Sequence, residues 1–300
     1  MKKILITGAN GFIGKNLKES LDKNYTVKAP THQELDLSDT SKTQYYLEEQ
    51  AFDVIIHCAN TNNTRPGGGV TDYQILDQNL RMYWNLCRCE HLYHKMYYFG
   101  SGAEYDMQHY IPDMREDYFG TYIPQDAYGF SKYIMNQNAR KSEKIFNLRL
   151  FGVYGKYEEW NRRFISNNIC RVLKGLNISI NQDMSFDYLY IEDLCNMMPW
   201  FIENTPQHHD YNVCTGVSVH LSELAVMLRS KFDCSVSIQV KAEGEKLPYT
   251  GNNERLLNEI GDWEFTNISI AMDILLEYYR QLYQTDVIFR EKLNRFSFLQ

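Results

Sequence analysis

Short apolar runs alternate with longer segments of helical periodicity through the first half of the chain. Five runs have the character of strands: ILI at 4–6, YTVKA at 25–29, DVIIHCA at 53–59, KMYYF at 95–99 and IFNLRL at 145–150. Between them, helical length and periodicity occur in GKNLKESL, TSKTQYYLEEQ and NLRMYWNLCRCEHLYH. Apolar strands separated by helices are typical of parallel strands covered on both faces. The pattern predicts an α/β fold with a doubly wound parallel sheet.

The pattern changes after about residue 155. ISNNICRVLKG, HLSELAVMLRSKF and the segment after Thr266 have helical periodicity, whereas NISI and SVSIQV have the character of short strands, in mixed order. We therefore predict a smaller C-terminal α/β lobe that binds the substrate. The first domain is predicted to span residues 1–155, rejoined by about 186–204, and the second lobe to span about 156–185 and 205–300. A ligand would bind between them, beyond the carboxyl ends of the strands.

Composition and charge exclude several classes of function. A net charge of −7 and a pI near 5.7 argue against a nucleic-acid partner. No apolar stretch approaches the length of a membrane span, and the run after MKK breaks at Thr7 and Gly8, too early for a signal peptide. Seven cysteines without regular spacing indicate reduced thiols. We expect a cytoplasmic protein that contacts no membrane.

Three glycines follow the first predicted strand, in TGANGFIG. Gly8, Gly11 and Gly14 have the spacing G-x-x-G-x-x-G and lie between a strand and an amphipathic helix. Glycine at these places allows a tight turn, close approach of the backbone to a pyrophosphate, and close packing of helix on strand. The start of the helix would present free N–H groups to the phosphates. This context predicts a dinucleotide-binding first domain of the Rossmann type.

The end of the second strand bears on the choice between NAD and NADP. An acidic side chain there would bind the adenosine ribose of NAD. In VKAPTHQELD no carboxylate occurs until Glu34, while Lys28 and His32 would suit a 2′-phosphate. We therefore prefer NADP and keep NAD as the alternative. Asp36 is expected to lie near the adenine or to cap the next helix.

A tyrosine and a lysine four places apart, Tyr128 and Lys132 in YGFSK, would lie side by side on one helix face. Spacing alone also fits an exposed helical pair. Lowering the pKa of a tyrosine by about 3 units takes roughly 4 kcal/mol. An ammonium about 4 Å away supplies roughly that much at an effective dielectric of about 20. The pair is therefore sufficient for proton transfer if it lies beside a reacting group.

Several further motifs carry a family resemblance over nearly the whole chain. In order, they are TGANGFIG, HCAN at 57–60, Asn79 opening a helix, FGSGAEYD at 99–106, YGFSK, NLRLFGVYGKYE at 147–158, YIEDL at 190–194 and YNVCTG at 211–216. With these motifs the chain resembles the extended short-chain dehydrogenase/reductase family, also called the NAD-dependent epimerase/dehydratase family. It is most similar to the nucleotide-sugar branch and, within that, to GDP-fucose-synthase-like 4-ketoreductases.

The resemblance implies roles for individual residues. Ser101 would hydrogen-bond the ketone or hydroxyl oxygen, Tyr128 would move the proton, and Lys132 would assist, while hydride passes to or from the nicotinamide. The implied cofactor-binding residues are Gly8, Asn10, Gly11, Phe12, Ile13, Gly14, Lys28, His32, Asp36, Leu37, Cys58, Ala59, Asn60, Asn79, Phe99, Tyr128, Lys132, Phe151 and Val153. Expected substrate-binding residues are Gly102, Ala103, Arg163 and Arg255. The family resemblance also implies a homodimer.

Departures from the family pattern narrow the reaction. Dehydratases carry Asp and Glu directly after the serine, whereas Gly102 and Ala103 follow it here. Fucose synthases use a cysteine and a histidine, for which this chain has Ala103 and, in our alignment, Arg163. What remains is reduction of a nucleotide-linked 4-keto sugar with NADPH. The alternatives are a 4-epimerase with tightly bound NAD, and a cofactor sensor without turnover.

Two parts of the sequence argue against simple assignments of a diphosphate site and of a metal site. Relatives often carry an arginine for the substrate diphosphate where this chain has Phe186, so Arg162, Arg163, Lys174, Arg229 and Arg255 are the remaining candidates. CRCEHLYH at 87–94 offers two cysteines and two histidines, but on a helix Cys89 would face away from the other three. The spacing matches no standard zinc pattern, so no metal is predicted. His57 is expected to be a packed histidine beside the cofactor.

Overall fold

Eleven strands and ten helices are formed by the residues that the computed structural model describes, which are 1–62, 69–232 and 236–298. The strands are β1 (Lys3–Thr7), β2 (Thr26–Lys28), β3 (Phe52–His57), β4 (Tyr93–Ser101), β5 (Ile145–Leu150), β6 (Gly152–Tyr154), β7 (Ile178–Asp183), β8 (Ser185–Tyr190), β9 (Asp210–Val213), β10 (Ser218–His220) and β11 (Ile238–Glu245). The helices are α1 (Phe12–Leu21), α2 (Thr40–Gln50), α3 (Asp72–Cys87), α4 (Ala127–Ala139), α5 (Phe164–Leu173), α6 (Ile191–Glu203), α7 (Leu221–Arg229), α8 (Glu254–Ile260), α9 (Ile268–Thr285) and α10 (Val287–Arg295).

Six parallel strands form the main sheet in the order β2-β1-β3-β4-β5-β9. The chain leaves β1 toward β2 on one side and returns to β3 on the other, which creates a switch point at their carboxyl ends. Along β1, Ile4 and Ile6 enter one core cluster while Leu5 enters another. Both faces of the sheet are therefore buried, and the predicted α/β fold with a doubly wound parallel sheet is confirmed.

Helices cover the two faces as the strand pattern requires. On one face α1 packs against α6, and the backbone carbonyl of Phe201 in α6 accepts a hydrogen bond from Tyr97 of β4 at 2.6 Å. On the other face α3 packs against α4, and Tyr83 of α3 donates to the carbonyl of Met135 in α4 at 3.0 Å. The site described below lies at the carboxyl edge between these layers.

The later part of the chain forms two smaller sheets, β10-β8-β6 and β11-β7. The division of the chain into two lobes remains a prediction, with one correction. We assigned all of 205–300 to the second lobe, but β9 pairs with β5 and completes the main sheet. YNVCTG is too short to distinguish the two sheets by periodicity, because its sheet is decided by pairing with a strand about 60 residues earlier.

The third predicted helix is displaced. We expected it to cover 79–94, whereas α3 ends at Cys87 and β4 begins at Tyr93. A capping box sets the start: Thr71 Oγ1 accepts from Gln74 N at 3.2 Å, and Gln74 Oε1 accepts from Thr71 N at 2.9 Å. Pairing of Tyr93 with Phe52 of β3 sets the end. Of the long loop predicted for 60–72, residues 63–68 lie outside the described residues.

The described residues also bear on membrane spans and on the cysteines. Within the described ranges, no helix is both long and apolar enough to cross a membrane. The six cysteines in those ranges are free thiols.

A buried network of ion pairs joins β5 to the site at the carboxyl edge of the sheet. Arg149 Nε donates to Glu104 Oε2 and Arg149 Nη2 donates to Asp210 Oδ2, both at 3.0 Å. Arg149 Nη1 donates to Tyr105 Oη at 2.7 Å. The arginine side chain is fully buried, so its positive charge depends on the two carboxylates for compensation. Although burial acts to raise the pKa of Asp210, Arg149 holds that pKa below its usual value.

We predict that Arg149→Met lowers the free energy of unfolding by about 3–5 kcal/mol, because the buried carboxylate of Glu104 loses its cation and Asp210 keeps only Arg140 and Arg255. Urea unfolding followed by circular dichroism measures this loss. The matched control is Arg115→Met, whose exposed ion pair with Glu254 contributes little. Equal stability of the two variants would contradict the network's role.

Candidate functional site

Two of the three glycines are required by contacts within the protein. Gly8 has φ +64°, and a Cβ there would lie 2.6 Å from the backbone nitrogen of Ala59. A Cβ on Gly14 would lie 2.5 Å from the carbonyl oxygen of Gly8. Glycine is therefore needed for β1 to approach β3 and for α1 to pack on the turn.

Gly11 has no such reason inside the protein. Its backbone angles, φ −82° and ψ 173°, suit any residue, and its Cβ would meet only the Gly8 carbonyl, at 3.3 Å. It is the N-cap of α1, where no side chain caps the helix and the first turn carries no acidic residue. The helix start therefore offers N–H groups and space to an anion, which fits the pyrophosphate of a dinucleotide. Asn10, Phe12 and Ile13 complete this turn.

The end of β3 continues the carboxyl edge of the sheet beside the glycine turn, and we call this edge the rim. Thr7 Oγ1 lies 2.8 Å from His57 Nδ1, and Ala59 N donates to the same Thr7 oxygen at 3.3 Å. Burial, with help from the charge of Lys132, lowers the pKa of His57 to about 3. His57 is thus a packed, neutral histidine, as predicted. Cys58 and Asn60 continue this rim.

Asn79 supports the rim in a different way from that expected. We placed it at the start of a helix, but it lies within α3 and is buried. Its Oδ1 accepts from Thr61 N at 2.7 Å, and its Nδ2 donates to Thr61 O at 2.9 Å and to Ser131 Oγ at 3.4 Å. Asn79 therefore ties the backbone after β3 to α4.

One oxygen of each carboxylate after β2 accepts hydrogen bonds from the loop itself. Glu34 Oε2 accepts from Thr31 N at 2.7 Å, and Asp36 Oδ1 accepts from Ser38 N at 2.9 Å. The expectation that Asp36 caps a helix is wrong, because Asp39 caps α2. His32 lies 3.8 Å from Asp36 and is exposed, as is Lys28. Leu37 is buried in the core.

The sheet and α4 bring Ser101, Tyr128 and Lys132 together. Ser101 ends β4, Asp126 caps α4 by accepting from Gly129 N at 2.8 Å, and the Lys132 ammonium donates to the carbonyl of Phe99 at 2.9 Å. That ammonium lies 5.9 Å from the centroid of the Tyr128 ring. These positions form a hydroxyl, a phenol and a cation at the carboxyl edge of the sheet.

A close backbone approach fixes the helix against the serine turn. A Cβ on Gly129 would lie 2.7 Å from the carbonyl oxygen of Ala103. The glycine after Tyr128 therefore lets α4 pack directly on the turn that follows Ser101.

The electrostatics differ from the sequence-based expectation. Burial raises the pKa of Tyr128, and the two groups that most oppose this rise are Ser101, through a hydrogen bond, and Arg163, through its charge. We expected Lys132 to be the main acidifying group. Burial instead lowers the pKa of Lys132 to about 8, although Glu104 acts in the opposite direction. Within the protein, Arg163 thus supplies part of the charge that we assigned to the lysine.

The expected substrate residues divide into two groups. Arg163 is the N-cap residue of α5, and its charge acts on Tyr128, so it faces the site. Gly102 and Ala103 lie in the turn beside Ser101. Arg255, in contrast, donates to Asp210 Oδ1 at 2.9 Å at the start of β9. Arg255 therefore binds Asp210, which is level with Thr7 and His57 in the register of the sheet, and its role in substrate binding stays a prediction.

Two residues that sequence reasoning missed complete the site. Tyr249 Oη lies 3.2 Å from Ser101 Oγ, and Glu104 Oε1 accepts from Ser101 N at 3.1 Å. No spacing rule points to Tyr249, which follows β11 in an irregular segment. Phe151, one of the predicted cofactor residues, packs its ring 5.4 Å from the ring of Tyr249, and Val153 follows in β6.

The residues discounted as metal ligands have other partners. Cys87 Sγ contacts Asn138 Oδ1 at 3.7 Å, and His94 Nδ1 lies 3.4 Å from Asp53 Oδ1. One further group, Asp183, His220 and Glu245, has ligand atoms within 4.8 Å of one another. Asp183 there already accepts from the backbone N–H groups of Met184 and Ser222, so we assign no metal to it.

Comparison with known proteins places this geometry in a family. The model of the NAD dependent epimerase/dehydratase family matches residues 4–214. The chain belongs to this family. It is 26% identical to the GDP-6-deoxy-D-talose 4-dehydrogenase of Aggregatibacter actinomycetemcomitans, over 90% of this chain and 96% of that protein. It is 23% identical to the ADP-L-glycero-D-manno-heptose-6-epimerase of Thiobacillus denitrificans, over 74% and 76%.

A solved structure supports the fold of this family member. The GDP-L-fucose synthetase of Naegleria fowleri bound to NADP superimposes with a TM-score of 0.81 at 16% identity, covering 95% of each chain. At that identity the similarity concerns the fold alone. The family resemblance inferred from the motifs is confirmed.

We predict that Gly11→Ala weakens NADPH binding at least about tenfold, a loss of about 1.4 kcal/mol, while stability changes little. Gly14→Ala is the contrasting variant, because its Cβ meets backbone atoms and overpacking costs about 1–3 kcal/mol of stability. Fluorescence titration with NADPH and thermal unfolding separate the two effects. Wild-type affinity in a stable Gly11→Ala protein would exclude Gly11 from the cofactor site.

Proposed function

We propose that this protein reduces a nucleotide-linked 4-keto deoxysugar to the 4-hydroxy sugar, with NADPH as the preferred cofactor. The observation that carries the proposal is the grouping of Ser101, Tyr128 and Lys132 at the carboxyl edge of the sheet, next to the glycine turn after β1. The names of the relatives, which include a 4-dehydrogenase of a GDP-linked sugar, support the substrate class.

The protein's residues account for the proton half of the reaction. A nicotinamide cofactor, when bound by the glycine turn and the ends of β1 and β3, supplies the hydride. Ser101 hydrogen-bonds the C4 oxygen of the sugar, and Tyr128 gives its proton to that oxygen as the carbonyl becomes a hydroxyl. Lys132 and Arg163 stabilise the phenolate that remains until a proton from solvent replaces the one transferred.

Reduction without dehydration or epimerisation agrees with the acid and base groups near Ser101. Ala103 offers only a methyl group where a second acid would act. Glu104 is fully buried and accepts from Ser101 N, Asn147 and Arg149. Asp106 is bound by His109 Nδ1 at 2.5 Å. The nearby carboxylates are therefore occupied by structural partners.

An epimerase with tightly bound NAD is the second candidate, and the 23% identity to a heptose epimerase favours it. In that reaction the hydride is removed and returned, so the cofactor shows no net oxidation. The two candidates thus differ in the net oxidation of the cofactor, which can be measured directly.

The preference for NADP is supported by the loop after β2. Both carboxylates that would bind a ribose hydroxyl, Glu34 and Asp36, accept hydrogen bonds from their own loop. Lys28 is exposed at the end of β2, where a 2′-phosphate would lie. The exposed cation favours a phosphate over free hydroxyls.

We predict that Lys28→Glu weakens NADPH binding about tenfold while NADH binding is unchanged or improved, because one charge-assisted hydrogen bond is lost. Fluorescence titration with NADPH and with NADH measures the ratio of the two dissociation constants. Lys23→Glu is the matched control, since this exposed lysine lies at the opposite end of β2. An unaltered ratio in Lys28→Glu would remove Lys28 from the cofactor site.

We predict that purified protein oxidises NADPH stoichiometrically with nucleotide 4-keto sugars, and that Tyr128→Phe lowers kcat by about 10²–10⁴-fold with unchanged cofactor affinity. Absorbance at the reduced nicotinamide band and analysis of the sugar product measure turnover. Tyr133→Phe, on the same helix but bonded to Gln137, is the matched control.

The outcomes separate the candidate functions. Net NADPH oxidation with a 4-hydroxy product supports the reductase, and interconversion of nucleotide sugars without net oxidation supports the epimerase. Cofactor binding with neither reaction supports a cofactor sensor. An active Tyr128→Phe variant would contradict the proposed proton donor.

A further inference from the structure

Tyr249 places a second phenol on the catalytic serine. A serine hydroxyl has one donor and two acceptor positions. The Ser101 oxygen accepts from Ala103 N at 3.2 Å, and Tyr249 Oη lies 3.2 Å from it. Ser101 also acts to lower the pKa of Tyr128, which indicates that the two hydroxyl groups lie near each other. With Ala103 in one acceptor position, a proton donated by Tyr249 would fill the second, so that the single serine proton is left to be donated on the side where Tyr128 and the reacting oxygen lie.

We infer that Tyr249 is a positioning residue that donates its hydroxyl proton to Ser101 and thereby directs the serine proton toward the reacting oxygen. The inference rests on the proposed function, because it assigns Ser101 to the C4 oxygen of the sugar. No bond to carbon changes in this step. Tyr249 keeps its proton throughout, and the proton that reaches the substrate still comes from Tyr128.

The backbone around Tyr249 is fixed, so its phenol is not placed by a loose loop. Tyr249 N donates to Ser185 O at 2.8 Å, and Asp187 N donates to Tyr249 O at 3.1 Å, which attaches the residue to β8. Two residues later, a Cβ on Gly251 would lie 2.5 Å from the Phe151 ring. The segment is therefore held from both sides, and the phenol points consistently toward Ser101.

The ring of Tyr249 is enclosed by other aromatic rings. Its centroid lies 5.2 Å from that of Tyr110, 5.4 Å from that of Phe151 and 5.6 Å from that of Phe186. Phe186 stands where relatives carry a diphosphate-binding arginine, and here it packs against the tyrosine. Burial raises the pKa of Tyr249, so the phenol stays protonated and retains an O–H to donate.

The arrangement links Tyr249 to the acidity of Tyr128. When no sugar is bound, the single serine proton can be donated to the Tyr128 phenolate and stabilises it, and without Tyr249 that proton is free to turn away. Loss of the Tyr249 hydroxyl should therefore raise the pKa of Tyr128. The charged, titratable or hydroxyl-bearing groups that face Tyr128 are Ser101, Glu104, Asp126, Lys132, Arg163 and Tyr249.

The kinetic test compares Tyr249→Phe with Tyr110→Phe in the full-length protein with NADPH and the 4-keto sugar. Tyr110 is a good control because its ring is adjacent, yet its hydroxyl has no hydrogen-bond partner among the described residues. We expect kcat to fall about tenfold in Tyr249→Phe, the factor that one ordinary hydrogen bond represents, with KM and NADPH affinity unchanged. Tyr110→Phe should retain the wild-type rate.

The pH profile and a double-mutant cycle distinguish positioning from support of the fold. Reduction needs protonated Tyr128, so the rate falls as pH rises through its pKa, and in Tyr249→Phe this fall should move to higher pH. In a Ser101→Ala background, Tyr249→Phe should cause no further loss, because Tyr249 acts through the serine. An unchanged pH profile, or an additive loss in the double variant, would overturn the inference.

A measurement without turnover keeps this test independent of the proposed function. In protein labelled with ¹³C at the tyrosine ζ-carbon and saturated with NADP⁺, the Tyr128 resonance, assigned by its absence in Tyr128→Phe, reports its pKa. Tyr249→Phe should raise that pKa, and an unchanged pKa would overturn the inference. If Tyr249→Phe fails to fold, Ser101→Ala should shift the Tyr249 resonance of the otherwise intact protein, and no shift would overturn it. Wild-type protein without sugar reduction would count against the reductase alone.

Discussion

The buried charge of Arg149 is the constraint on which the site depends. The guanidinium is fully enclosed and bound by Glu104 and Asp210, so these three groups must stay in register for the chain to fold. Glu104 also accepts from Ser101 N at 3.1 Å, and Asp210 begins the last strand of the main sheet. One arginine therefore connects the sheet edge to the serine turn. The active-site hydroxyl is positioned by the core rather than by a surface loop.

Around that fixed serine, charge and burial oppose each other. Burial raises the pKa of Tyr128, while Ser101 and Arg163 lower it, and Lys132 is anchored to the backbone carbonyl of Phe99. With an alanine at 103, and with Glu104 and Asp106 held by structural partners, Tyr128 is the proton donor that we propose. This combination supports hydride reduction in preference to reactions that need a second acid and base.

Features that depend on local spacing were predictable from the sequence. The apolar strands, the glycine turn and the Tyr128–Lys132 pair are encoded within a few residues of each other. The wrong predictions concern features that are decided by contacts between distant parts of the chain. The start of α3 depends on the Thr71 capping box, its end on pairing with β3, and the place of β9 on pairing with β5. The partner of Arg255, Asp210, could not be predicted, because a charge pattern does not reveal the direction of a side chain. Tyr249 and Ser101 are 148 residues apart, and no motif joins them.

We propose that hydride goes to the sugar carbon whose oxygen Tyr128 protonates. This transfer can be followed with NADPH that carries deuterium at the transferable position of nicotinamide C4, with the product analysed by NMR and mass spectrometry. We expect one deuterium at C4 of the nucleotide-linked sugar for each NADPH oxidised, and no incorporation of solvent deuterium at C3 or C5 when the reaction is run in D2O. A product without deuterium at C4, or with solvent deuterium at the neighbouring carbons, would rule out the proposed reaction.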